Sequence, residues 1–261
     1  MAIPIRTIPV AYNLRYTTIF VKLNKASWEK PRARRGQRRP GRLRYTGPVR
    51  ILLILCHPQA GSFNHAVADR ARETLAAAGH QVFFHDLYQE GFDPVLTGPE
   101  YRRGVSVDEQ VVRHTKELEA CGGLVFVHPE WWGQPPALLK GWVDRVLRPG
   151  VAYEPAGEEL PEREPAPLLG DKAALVLATR DAGARSGLLD AGAAGLLERV
   201  WLEGVFAFCG IRNAACHVLH DLRRLGPAER QAWLAQAGQA LLGMFPPVQG
   251  PGTVQASRPA R

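Results

Sequence analysis

Residues 50–79 read Arg-Ile-Leu-Leu-Ile-Leu-Cys-His-Pro-Gln-Ala-Gly-Ser-Phe-Asn-His-Ala-Val-Ala-Asp-Arg-Ala-Arg-Glu-Thr-Leu-Ala-Ala-Ala-Gly. Arg50–Cys56 is a continuous apolar run of strand length, which marks a strand covered on both faces. Asn64–Ala78 then returns apolar residues at helical spacing and stops at Gly79, a residue suited to the left-handed position after a helix. A buried strand, a short polar loop and a helix open a parallel α/β unit.

The same rhythm continues along the chain. Strands are predicted at Gln81–Leu87, Gly123–Val127, Ala173–Ala178 and Ala214–Leu219. Helices are predicted at Asp108–Ala120, Ala137–Leu147, Ala191–Phe208 and Ala228–Met244, followed by a Pro/Gly tail over 246–261. Right-handed crossovers between such units give a five-stranded parallel sheet of order 2-1-3-4-5, with helices on both faces.

Of 261 residues, 46% are hydrophobic and 22% charged, an ordinary globular balance. No run approaches the roughly 18–20 apolar residues of a membrane span. Four cysteines without CxxC spacing exclude a disulfide scaffold and support no zinc site, so a cytoplasmic location is expected. The net charge of +8 points at first to nucleic acid. Yet residues 1–48 hold twelve of the 33 basic residues against one acid, Glu29, while 49–261 are slightly acidic. That basic, Pro/Gly-broken extension is expected to be disordered. It reads as a nucleic-acid arm, a targeting segment or an overhang preceding a start near Val49; no nucleic-acid partner is expected of the remainder.

Ligands of an open parallel sheet bind beyond the carboxyl ends of the strands, beside the switch in strand order. Three loops lie there. His57–Asn64 leads into the first helix; Ser62 and Asn64 offer donors, Gly61 allows close approach, and a helix N-terminus favours a phosphate. The alternative is that Ser62 or Asn64 merely caps the helix. No GxGxxG and no GxxxxGK[ST] occurs. The second loop, Val127–Pro136, carries Pro129, Glu130, Trp131, Trp132 and Gly133. Two adjacent indoles suit the wall of a flat conjugated ring, or else a hydrophobic plug or dimer contact. The third, Ala178–Ala184, holds Thr179, Arg180 and Asp181; the last two are read as pairing with each other, or as meeting the same ligand. His65, His80, His85, His114, His217 and His220 show no metal-ligand spacing, so no metal is expected. No GxSxG occurs and no cysteine sits in a catalytic context. Glu158, Glu159, Glu162 and Glu164 read as a solvated loop.

Three motifs resemble the flavodoxin-like NAD(P)H:quinone oxidoreductase family. They are His57-Pro58…Ser62-Phe63-Asn64, then Asp86-Leu87-Tyr88…Phe92-Asp93-Pro94, and above all Pro129-Glu130-Trp131-Trp132-Gly133-Gln134-Pro135-Pro136-Ala137-Leu138-Leu139-Lys140-Gly141-Trp142…Asp144-Arg145-Val146, continuing to Gly150-Val151-Ala152-Tyr153. Gly204…Phe208-Cys209-Gly210 also fits. The resemblance covers Val49 to Phe245 and implies a flavodoxin-like three-layer sandwich over 49–245. It implies FAD or FMN bound without a covalent link, NAD(P)H as co-substrate, and a quinone-like acceptor reduced in a ping-pong cycle. By motif, His57, Ser62, Phe63 and Asn64 hold the phosphate, Pro129, Glu130, Trp131, Trp132 and Gly133 line the isoalloxazine, and Thr179, Arg180 and Asp181 meet its other edge. It also implies a homodimer with the site at the interface, Tyr153 facing the partner's flavin. Members of the mammalian type carry a Tyr and a His after strand four; here no Tyr or His occurs between Tyr153 and His217. No catalytic side chain is therefore assigned. The alternative readings are a regulatory flavoprotein subunit of a potassium-efflux system, or an azo- or nitroreductase using the same flavin.

Overall fold

The computed structural model describes residues 47–155, 165–181 and 195–248. The basic extension, the acidic loop around Glu158–Glu164, the end of the third ligand loop and the distal tail lie outside the described residues. Five strands form one parallel sheet: β1 (Arg50–Leu55), β2 (Gln81–Asp86), β3 (Gly123–Pro129), β6 (Ala173–Thr179) and β7 (Asn213–Leu219). Their spatial order is β2-β1-β3-β6-β7, which is the expected 2-1-3-4-5 when the five are counted alone. A two-residue antiparallel ladder, β4 (Tyr153–Glu154) with β5 (Ala166–Pro167), was not legible from so short a pattern.

The apolar run at 51–55 is explained by burial on both faces. Ile51, Leu53 and Leu55 pack with Val67, Ala71 and Leu75 of α1 (Phe63–Ala77) and with Leu241 of α6 (Pro227–Met244). Leu52 and Ile54 face the opposite layer, with Val111 and Leu118 of α3 (Glu109–Ala120) and with Leu139 and Trp142 of α4 (Ala137–Val146). A period of two sends alternate side chains to opposite faces, so a strand covered twice must be apolar throughout. The edge strands β2 and β7 are only partly buried. Among the described residues no helix is long and apolar enough to cross a membrane.

Two departures from the sequence reading concern helices. A six-residue helix, α2 (Gly98–Arg103), sits between β2 and α3, started by a Thr97/Glu100 capping box. The predicted helix at Ala191–Phe208 begins, within the described residues, as α5 (Leu196–Arg199), and widens to a π-helical segment over Val200–Phe206. The wide turn accompanies burial of Trp201 and Phe206 against Phe126. It also lets the Trp201 indole N–H donate to His128 Nε2 at 3.1 Å, while His128 Nδ1–H donates to Pro129 O at 2.8 Å. Burial pushes the His128 pKa down to about 4, so β3 ends on a neutral imidazole with both nitrogens used.

A second polar cluster lies between β2 and α3. Trp142 donates its indole N–H to His114 Nδ1 at 2.8 Å, and His114 Nε2–H donates to Glu90 at 3.1 Å. His85 lies between Glu90, at 2.7 Å, and Glu117. Gln110 and Arg113 also donate to Glu90. The fold thus assembles His85, Glu90 and His114 into a grouping of metal-ligand type that sequence spacing did not show. Its hydrogen bonding is that of a proton network: His114 Nδ1 accepts from an indole, so its Nε2 carries the proton and presents no lone pair. Burial opposes charge on His85, but the bonds to Glu90 and Glu117 outweigh it and raise its pKa. Burial likewise opposes ionisation of Glu90, and its bonds to His114 and His85 outweigh that, holding it at about 2.

A raised histidine stabilises fully below its unfolded pKa, about 6.5, and loses that contribution as pH rises through the folded value. A depressed glutamate stabilises above its unfolded pKa, about 4.3, and loses that contribution as pH falls toward 2. Urea denaturation of the wild type and His85→Gln is expected to show a larger stability gap at pH 6 than at pH 9. A gap independent of pH contradicts the charged assignment.

Candidate functional site

The three loops beyond β1, β3 and β6 meet in one cleft of about 530 Å³, within the ~300–1,000 Å³ range of small-molecule sites. Nine of the twelve candidate residues line it: His57, Ser62, Phe63, Asn64, Pro129, Glu130, Trp131, Thr179 and Asp181. Trp132, Gly133 and Arg180 do not.

The first loop runs from β1 into α1 along the cleft. Gly61 stands at φ +70, and open space surrounds its α-carbon. Ser62 occupies the N-cap position of α1 with extended backbone, yet its side chain makes no cap bond. The N–H groups of His65 and Ala66 donate to Ser62 O at 2.9 and 3.3 Å, at the positive end of the helix. The Ser62 hydroxyl instead lies 2.8 Å from His65 Nδ1. His57 Nδ1 lies 3.1 Å from Gln59 N and 3.2 Å from Gln59 O, which fastens the ring to its own loop, and burial lowers its pKa. Asn64 is buried and bonds Thr179 Oγ1 at 3.0 Å, tying the first loop to the third. Its side chain is a brace between the loops.

The second loop turns tightly. Trp131 and Gln134 exchange backbone hydrogen bonds of 3.0 Å around Trp132 and Gly133, both at positive φ (56° and 74°), as in a type I′ turn. The turn separates the two indoles: Trp131 lines the cleft, whereas Trp132 is 96% exposed. A tryptophan in the left-handed region is strained, and only the glycine beside it suits the turn. Behind the loop, Arg180 Nε donates to Glu130 at 2.7 Å, both side chains largely buried. Asp181 pairs with Arg223. The expectation that Arg180 and Asp181 pair with each other is thus corrected: successive residues leaving β6 point apart, and each finds a partner on a different loop.

Sequence reading missed Leu222, Arg223 and Arg230, which complete the cleft. They follow β7, whose carboxyl end opens on the same side as the other strands, so position in the sheet was the available signal. Arg230 is fixed by Leu225 O and Leu222 O at 3.1 and 3.2 Å. Among the described residues no carboxylate lies within ion-pair distance of it. Burial pushes the thiols of Cys56 and Cys216 up to about 12, and those of Cys121 and Cys209 to about 11, so none is poised as a nucleophile.

The donor set fits a phosphate-bearing aromatic ligand. The start of α1, the Ser62 hydroxyl, the His57 ring and Arg230 bring polar groups to the cleft, and Trp131 supplies a ring face. Comparison with known proteins places the chain in a family. The sequence profile of a flavodoxin-like fold family matches residues 49–243. An uncharacterised NAD(P)H oxidoreductase of Haemophilus influenzae is 30% identical over 192 residues, 72% of this chain and 92% of its own. NAD(P)H dehydrogenase [quinone] 1 of Rattus norvegicus is 28% identical, over 69% of this chain and 72% of its own. A solved NAD(P)H:quinone oxidoreductase from Methanothermobacter marburgensis superposes with a TM-score of 0.64 at 27% identity, over 75% of this chain and 98% of its own. The chain belongs to the flavodoxin-like NAD(P)H:quinone oxidoreductase family.

Proposed function

We propose that the protein is an NAD(P)H dehydrogenase (quinone) whose cleft holds FAD or FMN. The observation that carries this reading is the convergence of three separate loops, each with candidate residues, on one cleft at the carboxyl ends of β1, β3 and β6. In this reading the first turn of α1, Ser62 and His57 hold the phosphate, and Trp131 and Pro129 lie against the ring. A bound flavin would supply the chemistry of hydride transfer between NAD(P)H and a quinone-like acceptor. The chain's own residues bind, orient and exclude water. Asn64 and Thr179 keep two of the loops in register, and the Glu130–Arg180 pair fixes the wall behind Trp131 without leaving a free charge there. The flavin-binding unit in this reading is 49–245, with 1–48 and 246–261 outside it.

The homodimer belongs to the same proposal. An indole as exposed as Trp132, held in a strained turn at the rim, finds its use when a second copy or a ligand covers it. One shared site for donor and acceptor gives ping-pong kinetics. Parallel double-reciprocal lines with NADPH and menadione are expected, and intersecting lines overturn the shared site. Trp131→Ala is expected to weaken FMN and FAD binding, followed by flavin fluorescence, about tenfold, equivalent to roughly 1.5 kcal/mol. Unchanged affinity removes Trp131 from the ring site.

A further inference from the structure

Ser62, His65 and Asp86 form a chain of hydrogen bonds whose far end opens on the cleft. Asp86 Oδ1 accepts the backbone N–H groups of Tyr88 and Gln89 at 3.1 and 3.2 Å. Its Oδ2 faces His65 Nε2 at 3.2 Å, and the Nδ1 of the same ring lies 2.8 Å from Ser62 Oγ. A carboxylate only accepts, so Nε2 carries a proton whenever Asp86 is ionised. What can vary is Nδ1. With the ring neutral, Nδ1 is a lone pair and the Ser62 hydroxyl must donate to it, which turns the oxygen's lone pairs on any anion in the cleft. With the ring charged, Nδ1–H donates to Ser62 Oγ and the hydroxyl proton is free for the ligand.

We propose that the Ser62–His65–Asp86 chain couples oxyanion binding in this cleft to protonation of His65, which makes His65 a positioning residue for a phosphate-bearing ligand. Binding takes one proton from solvent onto His65 Nδ1, and Ser62 becomes a donor to the phosphate oxygen in that state alone. The biological ligand rests on the flavin reading above; the coupling itself requires only an oxyanion. The groups facing His65 set the balance. Asp86, at the end of β2, faces the ring through Nε2. His57, from the loop after β1, lies edge-on with ring centroids 6.2 Å apart. Across the cleft stand Asp181 after β6, and Arg223 and Arg230 beyond β7. On α1 itself Asp69 is paired with Arg72. His65 is thus the titratable ring interposed between a fixed carboxylate and the hydroxyl that lines the site.

The test compares the wild type with His65→Asn, whose amide replaces Nδ1–H with a donor that does not titrate. Calorimetric titration with FMN, FAD and riboflavin is run at pH 7 in buffers of different ionisation enthalpy. Protonation of the ligand's own phosphate, with a pKa of about 6 for a monoester, is common to both proteins and cancels. The wild type is expected to take up more protons than His65→Asn with FMN and FAD, and equally many with riboflavin. FMN affinity of the wild type should fall about tenfold more than that of His65→Asn between pH 5.5 and 8. Equal proton uptake by the two proteins overturns the coupling. If no flavin binds, the proposed function fails, and sulfate decides the coupling separately. Followed by NMR of the His65 ring, saturating sulfate should raise its titration midpoint in the wild type and leave it unmoved in Ser62→Ala. A midpoint insensitive to sulfate in both proteins overturns the coupling on its own.

Discussion

Replacing Arg145 by methionine is expected to destabilise the fold by about 3–5 kcal/mol, because it strands two carboxylates that the guanidinium now serves. Arg145 is 3% exposed on α4. Its Nη1 donates to Asp93 O at 2.7 Å, and its Nη2 to Glu100 at 2.7 Å and Asp108 at 3.1 Å. Burial opposes ionisation of Glu100, yet Arg145 and Ser106 hold its pKa at about 2. Both acids also start helices, Glu100 in the capping box of α2 and Asp108 as the N-cap of α3. One side chain therefore fastens two helix starts and the Phe92–Pro94 segment onto α4. Denaturant midpoints of the wild type and Arg145→Met check this. A loss below about 1 kcal/mol would reduce the cluster to the worth of a surface ion pair.

Gly141→Ala is the second large effect. A β-carbon there would overlap the backbone oxygen and Cα of Pro94, and backbone cannot rotate aside as a flexible side chain can. Overpacking commonly costs about 1–3 kcal/mol, and this site should reach or exceed the upper end because the Phe92–Pro94 segment is also pinned by Arg145. Gly243→Ala is the control: it lies in α6 with open space around its α-carbon, and alanine there should be neutral or stabilising by up to about 1 kcal/mol. Thermal melts of the two variants should therefore move in opposite directions or differ by many degrees. Equal melts would mean that α4 can slide off Pro94 at little cost.

These two residues also show what the sequence made legible. The strands at 50–56, 123–127 and 173–178 announced themselves because burial on both faces demands unbroken apolar runs, and the sheet order followed from the alternation with helices. The loops followed from the sheet, since its carboxyl end fixes where a ligand sits. Less could be read where the structure depends on distant partners. Arg180 took Glu130 rather than its neighbour Asp181, and His85, Glu90 and His114 meet from two elements with no regular spacing. The two indoles at 131 and 132 looked equivalent, and a positive φ at Trp132 sent them apart. The Ser62 hydroxyl had the position of a cap but serves a histidine one turn on.

In the proposed function, the cleft formed by the loops after β1, β3 and β6 binds a flavin that NAD(P)H reduces. The most direct measurement is the visible spectrum of the purified protein, supplemented with FAD or FMN and then titrated anaerobically with NADH or NADPH. A yellow protein whose absorbance bleaches on reduction and returns when a quinone is added is the expected result. A protein that stays colourless after incubation with both flavins, while folded by circular dichroism, would contradict it.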